Sequence, residues 1–161
     1  MFKNPDIQFV ESIKKVFEPV FKEYGFELQE EAQWNGAGED TVRASKKDIT
    51  LVYYFGHTPQ FYLCSMGISL SGELAERATS IRHYHNMGVT GIAHYLDKDF
   101  HFTGINVYTD EDLVNALEQE KEVLLKYCKE ILSGNVSIWQ EVVKRSEEYR
   151  TGSGKVRWHL S

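Results

Sequence analysis

The run Ile49-Thr50-Leu51-Val52-Tyr53-Tyr54-Phe55 constrains this chain more than any other stretch. Every residue in it is apolar, aromatic or β-branched, and turn residues bracket it: Lys46-Lys47-Asp48 before, Gly56 to Pro59 after. Such side chains suit extended backbone, and a strand without polar alternation is one covered on both faces. The run therefore predicts a central strand over 49–55. Successive side chains point to opposite faces, so only one of Tyr53 and Tyr54 faces a given side, and the other needs a covering helix or a partner.

Its neighbours follow from the same periodicity. Phe26, Leu28, Ala32 and Trp34 alternate with polar residues and predict a strand over 26–34, closed by the Asn35-Gly36-Ala37-Gly38 turn. A short strand over 41–45 enters the Lys46-Lys47-Asp48 hairpin, and a strand over 60–70 follows the central one. Sequential strands with short turns give an antiparallel meander of about four strands.

Helical periodicity brackets the meander. Val10, Ile13, Phe17, Val20, Phe21 and Tyr24 form one face of an N-terminal helix over 5–24, with Asn4 as N-cap, Pro5 in the first turn and Gly25 at the end. Pro19 predicts a kink or break within it. Leu74, Ala78, Ile81 and His85 share a stripe of a middle helix over 72–86, ended by Gly88. Residues 87–108 carry a weaker pattern, a helical turn near 92–96 and an extended piece over 100–108. Thr109 caps a helix over 110–133 whose stripe is Leu113, Leu117, Leu124, Tyr127, Cys128 and Ile131, and Gly134 ends it. Ser137 and Gln140 have capping-box spacing ahead of a last helix over 138–149. The class is α+β, with a single domain over 1–150 and a loosely tethered tail over 151–161 in which Val156 and Trp158 could form an edge strand.

Charge narrows the partners. Eighteen Lys and Arg against 24 Asp and Glu give a net charge of −6, which disfavours nucleic acid and anionic membrane surfaces. Lys144, Arg145, Arg150, Lys155 and Arg157 read as a solvated basic tail. Cys64 and Cys128 have neither disulfide-framework nor zinc-knuckle spacing, and no apolar run reaches signal-peptide or membrane-spanning length, so a cytoplasmic location is expected.

Three side-chain groups could carry chemistry or recognition. His83, His85, His94 and His101, with Asp97 and Asp99 among them, are of the types that bind a transition metal such as zinc and would serve a metal-dependent hydrolase. His83 and His85, two apart, diverge on a helix and converge only on extended backbone; otherwise His85 packs on the core stripe and the others sit at the surface. His101-Phe102-Thr103 and His159-Leu160-Ser161 match the paired H-x-[ST] pattern of two-histidine phosphoesterases. Tyr53, Tyr54, Phe55, Phe61 and Tyr62 serve either the sheet core or a ligand groove. Separately, Asp110, Glu111, Asp112, Glu118, Glu120, Glu122 and Glu130 make the long C-terminal helix acidic outside its stripe, a surface suited to a basic partner.

Two segments carry a resemblance: Phe17-Glu18-Pro19-Val20-Phe21-Lys22-Glu23-Tyr24-Gly25-Phe26, and Leu124 to Val143 with Ser133-Gly134-Asn135 and Trp139. The punctuation resembles that of small acidic bacterial α+β proteins of unknown function, similar to immunity proteins that neutralise polymorphic toxins. That resemblance implies a non-enzymatic module of immunity or antitoxin type, without cofactor, that binds a basic partner protein such as a toxin. It carries over no functional residue. An open sheet edge would also permit a homodimer.

Overall fold

The computed structural model describes residues 6–152. The fold is α+β: six α-helices and a seven-stranded antiparallel sheet among the described residues, more of each than the periodicity predicts. The expected central run is β4 (Ile49–His57), flanked by β3 (Glu39–Lys46) and β5 (Tyr62–Leu70) in continuous antiparallel ladders. Two residues, Lys47 and Asp48, turn β3 into β4, with Asp48 at φ 65°.

The predicted strand over 26–34 is instead two short ones, β1 (Glu27–Leu28) and β2 (Gln33–Trp34), both paired with β3. Between them Gln29 replaces the ladder: its N–H donates to the Arg43 carbonyl at 2.9 Å and its Oε1 accepts the Arg43 N–H at 2.7 Å. The exposed pair Glu30-Glu31 can then leave the sheet for water.

Helix α1 (Phe9–Tyr24) starts later than the predicted residue 5, and the Asn4 and Pro5 capping signals lie outside the described residues. Its start is held by a distant group, the Asp110 carboxylate accepting the Gln8 N–H at 2.8 Å. The helix runs unbroken through Pro19. Pro19 and Lys15 are both exposed, so the ladder bond that proline removes, to the Lys15 carbonyl, falls on the solvent side of the helix.

The predicted middle helix over 72–86 does not hold together. α2 (Gly72–Ala78) stops where Thr79 turns extended (φ −170°, ψ 146°) and its Oγ1 accepts the Ile81 N–H at 3.0 Å. Such local side-chain bonding competes with the helix ladder. A 3₁₀ turn (Arg82–His85) and β6 (Asn86–Gly88) follow. Gly88 therefore ends no helix; it precedes α3 (Val89–Leu96), which begins earlier than the turn expected near 92–96. Of the extended piece over 100–108, only β7 (Asn106–Val107) pairs.

The predicted helix over 110–133 is two, α4 (Asp110–Tyr127) and α5 (Lys129–Leu132), because Cys128 leaves helical geometry (φ −118°, ψ 3°) and thereby turns Ile131 and Leu132 into the core. Thr109 caps α4 as expected, in a full capping box with Asp112. Gly134 (φ 88°) closes α5 through a Schellman pattern, Gly134 N–H to the Ile131 carbonyl and Asn135 N–H to the Glu130 carbonyl. α6 (Ser137–Gly152) runs past the predicted 149, and residues 153–161, with the proposed tail strand, lie outside the described residues. The expected Ser137–Gln140 box is not made: Asn135 Oδ1 accepts the Ser137 N–H, and the Gln140 amide donates to the Arg77 carbonyl.

α1 and α4 pack together over one sheet face and bury Leu51, Tyr53 and Phe55. Phe9 stacks on Phe55 at 4.2 Å, and Phe17 meets Tyr53 edge-on at 5.1 Å, which supplies the covering helix that Tyr53 needs. No described helix is long and apolar enough to cross a membrane.

One cation ties the layers. Lys46 Nζ, at the end of β3, donates to the Tyr24 carbonyl at 3.0 Å and to the Leu132 carbonyl, and lies 5.0 Å above the Phe26 ring. It thus meets the negative ends of α1 and α5 together, and burial lowers its pKa. Lys46→Met keeps the stem and removes the charge. We expect it to destabilise the fold by about 1–3 kcal/mol in urea unfolding; an unchanged midpoint would contradict the role given to Lys46.

Candidate functional site

A concave surface arises from how β5 shares one edge. β6 pairs there with Gly67–Ser69 and β7 with Tyr62–Leu63, so Cys64, Ser65 and Met66 have no strand partner on that side among the described residues. β6 is pressed tightly onto β5: a Cβ on Gly67 would stand 3.0 Å from the Met87 carbonyl oxygen, which only glycine permits without adjustment. Directly after β6 the chain leaves the edge as α3, and a cleft of about 380 Å³ opens. Tyr54, Ser65 and Met66 form its sheet side, His83, Tyr84 and Met87 a second wall, Thr90, Gly91 and Tyr95 of α3 a third, and Val142 with Ser146 of α6 the far side.

The walls are fixed by directed bonds. Trp139 is fully buried and its Nε1 donates to the Tyr84 carbonyl at 2.8 Å. The Tyr84 hydroxyl donates to Glu147 at 2.8 Å and lies 2.9 Å from Ser146 Oγ. Burial, more than these bonds, raises the Tyr84 pKa, while Arg150 and Tyr84 hold the Glu147 carboxyl low. Arg145 donates to the Tyr95 carbonyl at 2.8 Å, tying the end of α3 to α6. Buried indole donors and hydroxyls find partners in this way, and here the partners position the cleft.

The histidine segment disperses. His83 lines the cleft; His85 Nε2 bonds the Thr79 carbonyl at 3.0 Å; His94 sits edge-on to Phe100 beside a second cavity; exposed His101 lines a third with Thr103. Among the described residues no three His, Cys, Asp or Glu side chains form a group able to hold a metal ion. The 3₁₀ turn explains the scatter, since it directs His83 and His85 apart instead of aligning them on a strand. Asp97 and Asp99 border the third cavity, where the Tyr127 hydroxyl donates to Asp97 at 2.7 Å; that bond lowers the Asp97 pKa and pushes Tyr127 up to about 12. His159, the second phosphoesterase histidine, lies outside the described residues.

Two polar features escape the sequence reading. His57 Nε2 lies 2.6 Å from Asp40 Oδ2 at the end of the β3–β4 hairpin, with the Trp34 ring edge-on at 5.0 Å. The hairpin register places Asp40 opposite Phe55, so His57 is its diagonal neighbour, a relation derivable once the two-residue turn is known. The second feature corrects the acidic face: Glu120 belongs to the interior, only 2% exposed, because it falls on the same stripe as Leu113, Ala116, Leu117 and Leu124. Among the described residues Glu120 Oε2 and the Tyr53 hydroxyl are both buried without a hydrogen-bond partner, and the Cys64 thiol interacts electrostatically with each. Burial drives the Tyr53 and Cys64 pKa values upward, and likewise pushes Cys128 up to about 12. Thiols of this kind are poor nucleophiles at neutral pH.

No protein-family model matches the chain, and neither a curated protein nor a solved structure matches it.

Glu120 makes stability depend on pH. Burial raises its pKa from 4.5 to about 8, so between those values the folded state retains a proton that the unfolded chain has released. Stability from this group is fully present below about 4.5, declines as pH rises through about 8, and levels above it. The decline is on the order of a few kcal/mol. Denaturant unfolding at a series of pH values should give a flatter profile for Glu120→Gln than for the wild type over this window; parallel profiles would contradict the burial of an unpaired carboxyl.

Proposed function

We propose that the protein acts by binding, without chemistry of its own, and that the cleft between the β5 edge, α3 and α6 is its recognition site. The observation that carries the reading is the cleft's construction: Tyr84 is held by Trp139, Ser146 and Glu147 and Tyr95 by Arg145, while Gly88 and Gly91 leave its mouth open. Preformed concave sites lined by aromatic and apolar groups with a few polar atoms are the usual geometry of ligand binding. Small aromatic fragments titrated against the ¹⁵N-labelled chain should therefore shift amides of 64–66, 83–92 and 142–146 before others, and Gly91→Leu should abolish those shifts. Shifts scattered over the surface, or unaffected by Gly91→Leu, would contradict this site.

A second reading, a basic partner protein of the kind neutralised by immunity proteins, draws on another surface. Asp110 and Asp112 are engaged at helix starts, Glu118 pairs with Lys121, and Glu120 is buried. Glu111, Glu122 and Glu130 remain exposed, with no ion pair among the described residues, and these favour a cationic partner. Coexpression with a cationic toxin encoded beside this protein should relieve toxicity, and the triple variant Glu111→Lys, Glu122→Lys, Glu130→Lys should lose that protection. Protection equal in the wild type and the triple variant would exclude this surface.

A further inference from the structure

We propose that the cleft takes a small, uncharged, planar heteroaromatic ligand of the nucleobase or nucleoside class, paired edge-on with the backbone of β5. The inference rests on the cleft being the recognition site and names what it recognises.

The unpaired backbone comes first. Along a strand, residues alternate in the side toward which they present N–H and C=O, and both groups of one residue point the same way. Over the three residues Cys64, Ser65 and Met66, at least one must present an adjacent donor and acceptor to the edge between β6 and β7. Among the described residues no hydrogen bond outside the strand ladders reaches this backbone. A ligand edge with a neighbouring acceptor and donor, as in an amide or a nucleobase, is its complement. Ser65 and Met66 both line the cleft, so that edge opens into it.

The walls specify the rest. Tyr54, Tyr84 and Tyr95 make the lining aromatic, and the Met66 and Met87 thioethers are polarisable groups that pack well against rings. Among the described residues no Asp, Glu, Lys or Arg lines the cleft. A phosphate would find at most the single imidazole of His83, and an ammonium no carboxylate, which favours an uncharged occupant. At about 380 Å³ the cleft lies near the lower end of ligand-site volumes and suits one base or nucleoside better than a dinucleotide. Ser65, Asn86 and Thr90 add neutral donors and acceptors at its rim.

Gly91 supplies the test. A Cβ built there meets nothing within 4 Å, so Gly91→Leu extends into the cleft without a backbone clash, in a helix whose φ suits any residue. Isothermal titration of the full chain with adenine, adenosine, AMP and 2-phenylethanol separates the outcomes. The proposal expects adenine or adenosine to bind, AMP to bind at least about tenfold more weakly, and Gly91→Leu to weaken the neutral ligands at least about tenfold with circular dichroism and Tm unchanged. Equal or tighter binding of 2-phenylethanol, lost in Gly91→Leu, would overturn the ligand class while leaving the cleft as the binding site. Tighter binding of AMP would overturn the neutrality argument. No binding by any probe would overturn both the ligand class and the cleft reading.

Discussion

The edge of β5 is the constraint on which the rest of the structure depends. A strand with one full-length neighbour must do something with its other side, because unpaired backbone is costly when buried and adhesive when exposed. Here the side is divided between β6 and β7, two strands too short to meet. β6 can exist only because the chain abandons helix at Thr79, and β7 only because the capping box at Thr109 stops α4 from extending backward over Val107. The three-residue interval between them is what α3 and α6 then enclose.

The enclosing helices are placed by polar bonds as well as by the burial of Val89, Ile92, Trp139 and Val142. Trp139 and Arg145, both on α6, reach the carbonyls of Tyr84 and Tyr95, and Gln140 reaches that of Arg77. Each such bond satisfies a carbonyl at an irregular turn or helix end, where the backbone has no internal partner. Lys46 does the same for α1 and α5. Helix ends and turns are thus held from α6 and, at Lys46, from the sheet.

Sequence periodicity was sufficient for the parts of the fold decided locally. The β4 run, the β5 strand, the Thr109 cap and the glycine at 134 all act through nearest neighbours and were legible without coordinates. What was hidden depended on distant partners. Asp110 sets the start of α1, Gln29 replaces part of a ladder, and Gln140 is drawn from its expected box to Arg77. Glu120 was legible in principle, since its spacing puts it on the apolar stripe, but its charge argued for the surface. Of the cleft, the sequence offered Tyr54 and His83 as candidates. The edge interval was not readable, because it follows from the registers of β6 and β7, and a two- or three-residue strand has no period to detect.

Hydrogen–deuterium exchange at Cys64–Met66 tests most directly whether the open edge is the recognition element. The account predicts that, in the free protein, at least one amide of this trio exchanges faster than those of Gly67–Ser69, which lie in the β6 ladder, and that a bound neutral purine slows it selectively. Exchange as slow as in the flanking ladder without ligand, or unchanged when ligand is bound, would contradict it.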